Sequence, residues 1–190
     1  YIKSHYPDLF TIADAKRGDI GNTSLRYAKA FFEAMPFDSI TIAPYMGKDS
    51  VEPFLTYKDK HAILLALTSN KGAADFQFAE NTDKPLFKEV LATSLKYDNA
   101  DRLMYVVGAT KADYLKEIRD IAPNAFLLIP GVGAQGGSLK DVYENGANKQ
   151  VGLLVNSSRG ILYASRGEDY VVAAAKVAAS LQIQMQKLLA

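Results

Sequence analysis

Two kinds of segment alternate along this chain, and that alternation restricts its fold more than any other feature. Short apolar, β-branched runs stand at 10–13, 39–43, 62–67, 102–107, 126–129 and 152–155. Each is followed by a loop with Gly, Ser, Thr or Asn and then an amphipathic stretch, at 24–34, 48–57, 85–97, 111–121, 138–146 and 168–189. Strands that read as nearly unbroken apolar runs are buried on both faces, and a helix between each pair makes them parallel. The pattern therefore predicts six consecutive βα units in an α/β fold. The last amphipathic stretch carries Val171, Ala174, Ala175, Ala178, Leu181, Ile183 and Met185, which predicts a helix packed on the core.

Two architectures satisfy the pattern, an open doubly wound sheet and a TIM (β/α)8 barrel. A barrel needs eight units and about 250 residues, and six units in 190 residues leave a deficit of about two units at ~30 residues each. Tyr1 opens a stretch that reads as helix, so the arithmetic favours a barrel whose first two βα units precede residue 1. No linker or composition break divides residues 1–190, so they read as a single domain, the C-terminal three-quarters of such a barrel.

With 48% hydrophobic residues the chain can bury one sizeable core. A net charge of +1, from 22 basic and 21 acidic residues, argues against a general nucleic-acid or anionic-membrane surface. No run has the length of a membrane span. Cysteine is absent, which excludes disulfides and thiol chemistry and fits a cytoplasmic protein.

Charge concentrates in Asp14-Ala15-Lys16-Arg17-Gly18-Asp19, directly after the first apolar run. Side chains two apart on a strand share a side, so Asp14 and Lys16 project together and Asp19 lies in the turn beyond. Charges crowded at a strand end are costly unless paired or used. The C-terminal ends of strands are also where parallel-sheet enzymes place their sites.

Three loops carry the remaining polar chemistry. Gly131-Val132-Gly133-Ala134-Gln135-Gly136-Gly137 has four glycines in seven residues, which lets backbone N–H groups approach a ligand closely. Ser138 then caps the next helix. Asn156-Ser157-Ser158-Arg159-Gly160 adds donors and a guanidinium suited to bidentate contact. In barrels the loops after the last two strands commonly bind phosphate. The connection from Thr68-Ser69-Asn70 to Pro85 lacks periodicity and reads as a binding loop or lid, with groups that suit a planar heterocycle. His5 and His61 fall outside these loops, and no cluster with metal-ligand spacing is evident.

Asp14-x-Lys16-x-x-Asp19 resembles the signature of the orotidine 5′-monophosphate decarboxylase superfamily. Asp14 to Ser24, Ala43-Pro44-Tyr45-Met46-Gly47, Leu67 to Gly72, Pro130 to Gly137 and Asn156 to Gly160 resemble, in order, the longer bacterial subgroup of the decarboxylase family. The likeness runs through the whole chain. It implies a TIM barrel, a homodimer with shared active sites, and conversion of orotidine 5′-monophosphate to UMP and CO2 in pyrimidine biosynthesis without metal or organic cofactor. It further implies that Lys16 donates the proton to C6 and that Asp14 sits against the substrate carboxylate. Asp19 then reaches the neighbouring subunit's site, with Thr23 close by near the ribose. Ser69 contacts the pyrimidine, Gln135 bridges base and phosphate, and Arg159 binds phosphate together with Gly131, Gly133, Gly136 and Ser158.

The first apolar run corresponds to the family's third strand. The family also uses an Asp after its first strand and a Lys after its second, and neither has a counterpart in these residues. Two other readings stay open. One is a metal-dependent sugar-phosphate decarboxylase or aldolase of the same superfamily. The other is a non-catalytic phosphate-binding fragment.

Overall fold

The computed structural model describes residues 1–133 and 136–189, without the side chains of residues 81 and 82. All six expected strands form, and the contacts divide the chain into two compact units: Tyr1–Leu67 with Gly72–Val106, and Thr68–Lys71 with Val107–Ala190.

The first unit opens with α1 (Ile2–His5), β1 (Ile12–Arg17) and α2 (Gly21–Lys29), whose last turn loosens into a π-helical segment over Ala30–Ala34. Next come β2 (Ser39–Ile42), α3 (Lys48–Leu55), β3 (His61–Leu67), α4 (Ala73–Phe76), β4 (Glu80–Thr82), β5 (Lys84–Pro85), α5 (Leu86–Ser94) and β6 (Leu103–Val107). The strands β1, β2 and β3 pair in parallel, and β6 lies beside β3. The connection after Thr68 is not structureless: it holds α4 and the antiparallel hairpin of β4 and β5. Hydrophobic periodicity misses such pieces because four or fewer residues complete no amphipathic repeat.

The β-branched residues Ile40, Ile42 and Ile63, with Leu64 and Leu67, are fully buried beneath Phe54, Leu55, Phe87 and Leu91 of α3 and α5. Tyr105, also fully buried, shares a hydrogen bond with Ser94 at 3.0 Å. Burial pushes its phenol up to about 12. His61 at the start of β3 packs edge-on to Phe10, 5.8 Å between ring centres, and burial pushes its pKa down.

Asp38 ties the start of this unit together. Its Oδ2 accepts from Lys3 Nζ (2.6 Å), Thr11 N (2.7 Å) and Thr11 Oγ1 (2.7 Å). Burial pushes this carboxyl up, but the bonds from Lys3 and Thr11 outweigh it and hold the pKa below the usual value. Asp38→Ala is expected to lower stability by about 1–3 kcal/mol at pH 7. A depressed carboxyl stabilises above its unfolded pKa, and that contribution is lost as pH falls through its folded pKa. The difference between wild type and variant in urea unfolding should therefore be full at neutral pH and shrink below about pH 4.

In the second unit a 3-10 turn over Ala109–Tyr114 leads into α6 (Leu115–Ile121), followed by β7 (Leu127–Pro130), α7 (Leu139–Gly146), β8 (Leu153–Asn156), α8 (Arg159–Leu162) and α9 (Tyr170–Leu188). The strands β7 and β8 pair in parallel from Leu127↔Leu153 to Pro130↔Asn156, which brings the two following loops out at one level. Arg119 braces the opposite end of these strands. It donates to the carbonyls of Gly146 (2.6 Å), Ala125 (2.5 Å), Gly152 (2.9 Å) and Ala122 (3.4 Å), and burial pulls its pKa down to about 10.

The last helix differs from its expected packing. Of its apolar residues, Ala174, Ala178, Leu181 and Met185 are half-buried, whereas Val171, Ala175 and Ile183 are exposed. Beside it a cavity of about 440 Å³ opens between α7, β8 and α9, lined by Tyr143, Leu153, Val155 and Met185 among others. Periodicity shows that a helix has an apolar stripe, not how much of that stripe its neighbours cover. Among the described residues no helix is long and apolar enough to cross a membrane.

Candidate active site

The polar residues singled out in the sequence fall into two groups, one in each unit. In the first unit Asp14 and Lys16 lie on the first strand, β1, as their spacing implied, and that strand runs on to Arg17, beyond the apolar run 10–13. The ladder to β2 carries it onward: Ala13 pairs with Ile40 and Arg17 with Ile42, so β1 advances four residues while β2 advances two. A strand that gains residues against its partner bulges and re-aims its side chains.

Lys16 sits on that bulge with φ +47, in the left-handed region that β-carbon sterics disfavour. Such strain persists only where the surroundings enforce it, and it gathers at functional sites. Thr41 of β2, fully buried, is the enforcing group. Its hydroxyl accepts the Lys16 backbone N–H at 2.9 Å and donates to Asp14 Oδ1 at 3.0 Å. The same Oδ1 receives Lys16 Nζ at 2.5 Å. The result is an ion pair whose side chains remain about half exposed (52% and 56%), open to a ligand, on a main chain pinned from beneath.

Arg17 turns aside, with Nε donating to Ala15 O (2.9 Å) and its guanidinium over the Tyr27 ring. Asp19 follows in the loop before α2, where its Oδ1 accepts from Ile20 N at 2.8 Å. Buried Ser24 donates to Asp19 O (2.7 Å) and Ser50 O (3.0 Å), which fixes that loop against α3. Thr23 lies exposed in the first turn of α2. The structure thus brings Asp14 and Lys16 into contact and places Asp19 and Thr23 in the turn that follows.

In the second unit the loops after β7 and β8 meet around a cavity of about 90 Å³, lined by Pro130, Gly131, Val132, Asn156, Ser157, Ser158 and Arg159. Gly131 (φ +96), Gly133 (φ +75) and Gly136 (φ +84) all take left-handed backbone, so the loop folds back on itself. Gly133 N donates to Gly137 O at 3.0 Å and Gly137 N to Gly131 O at 3.3 Å. Ser138 caps α7 as expected, its Oγ accepting from Asp141 N at 3.2 Å. Arg159 opens α8 and is exposed at the rim. Gln135 lies outside the described residues.

Ser69 is half-buried, and its main chain lies against Gly108. Thr68 Oγ1 donates to Asn70 Oδ1 at 2.6 Å, which uses that acceptor inside the loop. Two contributors escaped the sequence reading, Thr41 and Gly108. Thr41 had a signal, a hydroxyl inside the otherwise apolar Ile40-Thr41-Ile42. Gly108 had none, because its reason is a neighbour 39 positions earlier in the chain.

A family model described as "Orotidine 5'-phosphate decarboxylase / HUMPS family" matches residues 1–177. The chain is 63% identical over 185 residues to a Christiangramia forsetii protein named orotidine 5′-phosphate decarboxylase, covering 97% of this chain and 68% of that protein. A Flavobacterium johnsoniae protein of the same name is 59% identical over 189 residues, covering 100% of this chain and 69% of its own length. The solved structure of Leishmania donovani OMP decarboxylase superposes with a TM-score of 0.76 at 36% identity, covering 87% of this chain and 64% of that one. The chain thus spans about two thirds of the length of the relatives it matches, and its six βα units are of the TIM-barrel class.

Proposed function

The chain belongs to the orotidine 5′-phosphate decarboxylase / HUMPS family, and from that premise we propose how its residues carry out the decarboxylation of orotidine 5′-monophosphate to UMP and CO2. The bond from C6 to the substrate carboxylate breaks, CO2 leaves, and the electron pair stays on C6. The Lys16 ammonium stabilises that developing carbanion and then gives it a proton, and the resulting amine regains a proton from solvent. A preorganised charge acts most strongly where charge develops in the transition state. Asp14 holds the ammonium in place and lies against the substrate carboxylate, a repulsion relieved as CO2 departs.

The observation that carries this reading is the Lys16–Asp14 pair on a strained, bulged strand, held by buried Thr41.

Arg159, Ser158 and the backbone of Gly131, Gly133 and Gly136 take the phosphate, and Ser69 reads the pyrimidine. Gln135 bridges base and phosphate. The phosphate is remote from the bond that breaks, and its binding energy serves the reaction by fixing the nucleotide. Asp19 and Thr23 serve the site of a second copy, which makes the enzyme a homodimer, and it works in the cytoplasm.

The test is turnover of orotidine 5′-monophosphate by the full gene product, followed as loss of substrate absorbance and release of CO2, with and without EDTA. Turnover that persists in EDTA is expected. UMP binding without turnover would leave only a phosphate-binding protein, and turnover abolished by EDTA would favour the metal-dependent branch of the superfamily.

A further inference from the structure

The dipeptide Gly108-Ala109 is packed on both sides by loops that carry binding residues. Gly108 has φ −65 and ψ 136, backbone that any residue adopts, so glycine is not required there for conformation. Space is the reason. A β-carbon on Gly108 would stand 2.7 Å from Ser69 N, 2.7 Å from Ser69 Cβ and 2.8 Å from Ser69 Cα. The main chain of Ser69 therefore rests directly on the bare face of Gly108.

Ala109, 2% exposed, makes the next contact. A β-carbon on Gly137 would meet the Ala109 methyl at 2.4 Å, Gly131 O at 3.0 Å and Ala109 C at 3.1 Å. Gly137 is the residue that closes the 131–137 loop through its bonds to Gly131 and Gly133. The dipeptide is itself anchored, since Lys111 N donates to Gly108 O at 2.9 Å as the 3-10 turn begins.

We propose that Gly108 and Ala109 are positioning residues that set the spacing between the pyrimidine-reading loop at Ser69 and the phosphate loop at Gly131–Gly137. The proposal rests on the base and phosphate roles given above to those two loops. Close-packed interiors transmit displacements of a methyl group rather than absorbing them. Neither loop can move toward the dipeptide, and a change in the dipeptide's size moves one loop relative to the other. A nucleotide that must satisfy both loops at once registers the change, whereas a ligand engaging one loop does not.

Titration of the full gene product with UMP, uridine and ribose 5-phosphate tests this. Gly108→Ala is expected to weaken UMP ~10-fold or more and to leave ribose 5-phosphate within ~2-fold, because misplacing a binding group by a fraction of an ångström is felt steeply. Ala109→Gly only removes a methyl group and so creates no clash. It is expected to weaken UMP by ~3-fold or more, again with little change for ribose 5-phosphate. Gly137→Ala adds a methyl group to the other side of the same contact and is expected to weaken UMP and ribose 5-phosphate alike.

The double variant Ala109→Gly with Gly137→Ala passes one methyl group across the contact. It relieves the methyl contact but not the approach to Gly131 O and Ala109 C, so its loss of UMP binding is expected to be smaller than the two single losses combined, a non-additivity that direct contact produces. A general loss of stability would move the melting temperature but not this ligand pattern.

Unchanged UMP binding in Ala109→Gly, or losses that simply add in the double variant, would overturn the spacer. Failure of the underlying reading looks different. Wild-type protein would then show no preference for UMP over uridine, or Ser69→Ala would leave the preference for UMP over ribose 5-phosphate intact.

Discussion

Lys16→Ala in the full gene product is expected to lower kcat for orotidine 5′-monophosphate by ~10⁴-fold or more, while UMP affinity changes by less than ~10-fold. The two readouts separate because the proposal gives Lys16 a task only while the C6 bond breaks and reforms. UMP carries no carboxylate at C6 and develops no charge there, so the ammonium adds little to its binding. The Asp14 carboxylate left behind is about half exposed, and water takes over its solvation. A variant that kept near-normal turnover would remove Lys16 from the mechanism.

Stability supplies a second check on the same residue. Alanine inherits the φ of +47 and its strain, whereas glycine adopts that backbone freely. Lys16→Gly should be as inactive as Lys16→Ala yet more stable than it by about 1 kcal/mol in urea unfolding. Equal stabilities would mean that the lysine backbone is not strained in solution.

Arg159→Ala is expected to weaken UMP by ~10²-fold or more and to leave uridine within ~3-fold. A hydrogen bond to a charged group is commonly worth about 1.5–3 kcal/mol. The guanidinium stands at the rim of the cavity formed by the loops after β7 and β8, where Ser157, Ser158 and the Gly131 backbone supply further donors. Those donors keep some phosphate binding in the variant. Its kcat/KM should fall with KM carrying most of the change at low substrate, because the contact is made in ground state and transition state alike. Equal losses for UMP and uridine would take the phosphate away from Arg159.

Both predictions concern residues that could be picked out without coordinates, and the reason is local. Six apolar runs of β-branched residues, each followed by a 3.6-period stretch, leave little freedom in secondary structure, and every expected strand formed. Asp14 and Lys16 are two positions apart in one strand, and Gly131, Gly133, Gly136 and Ser138 act within one loop. Chemistry of that kind depends on spacing along the chain, which a sequence displays directly.

What depends on neighbours distant in the chain could not be read that way. The length of β1 was set by its ladder to β2, which carried the strand on to Arg17 and raised the bulge between Ala13 and Arg17. The left-handed backbone of Lys16 and its support by Thr41 join residues 25 positions apart. Gly108 looks like any turn glycine until Ser69 is placed on it. The exposure of Ile183 and Val171 in α9 depends on what lies beside a helix, about which its own periodicity is silent. The candidate reacting groups and the order of βα units thus followed from chain-local patterns of polarity and backbone preference. The aim of Lys16 and the spacing of the binding loops came only from packing, because close contact between distant segments is a property of the folded volume and leaves no periodic trace in the chain.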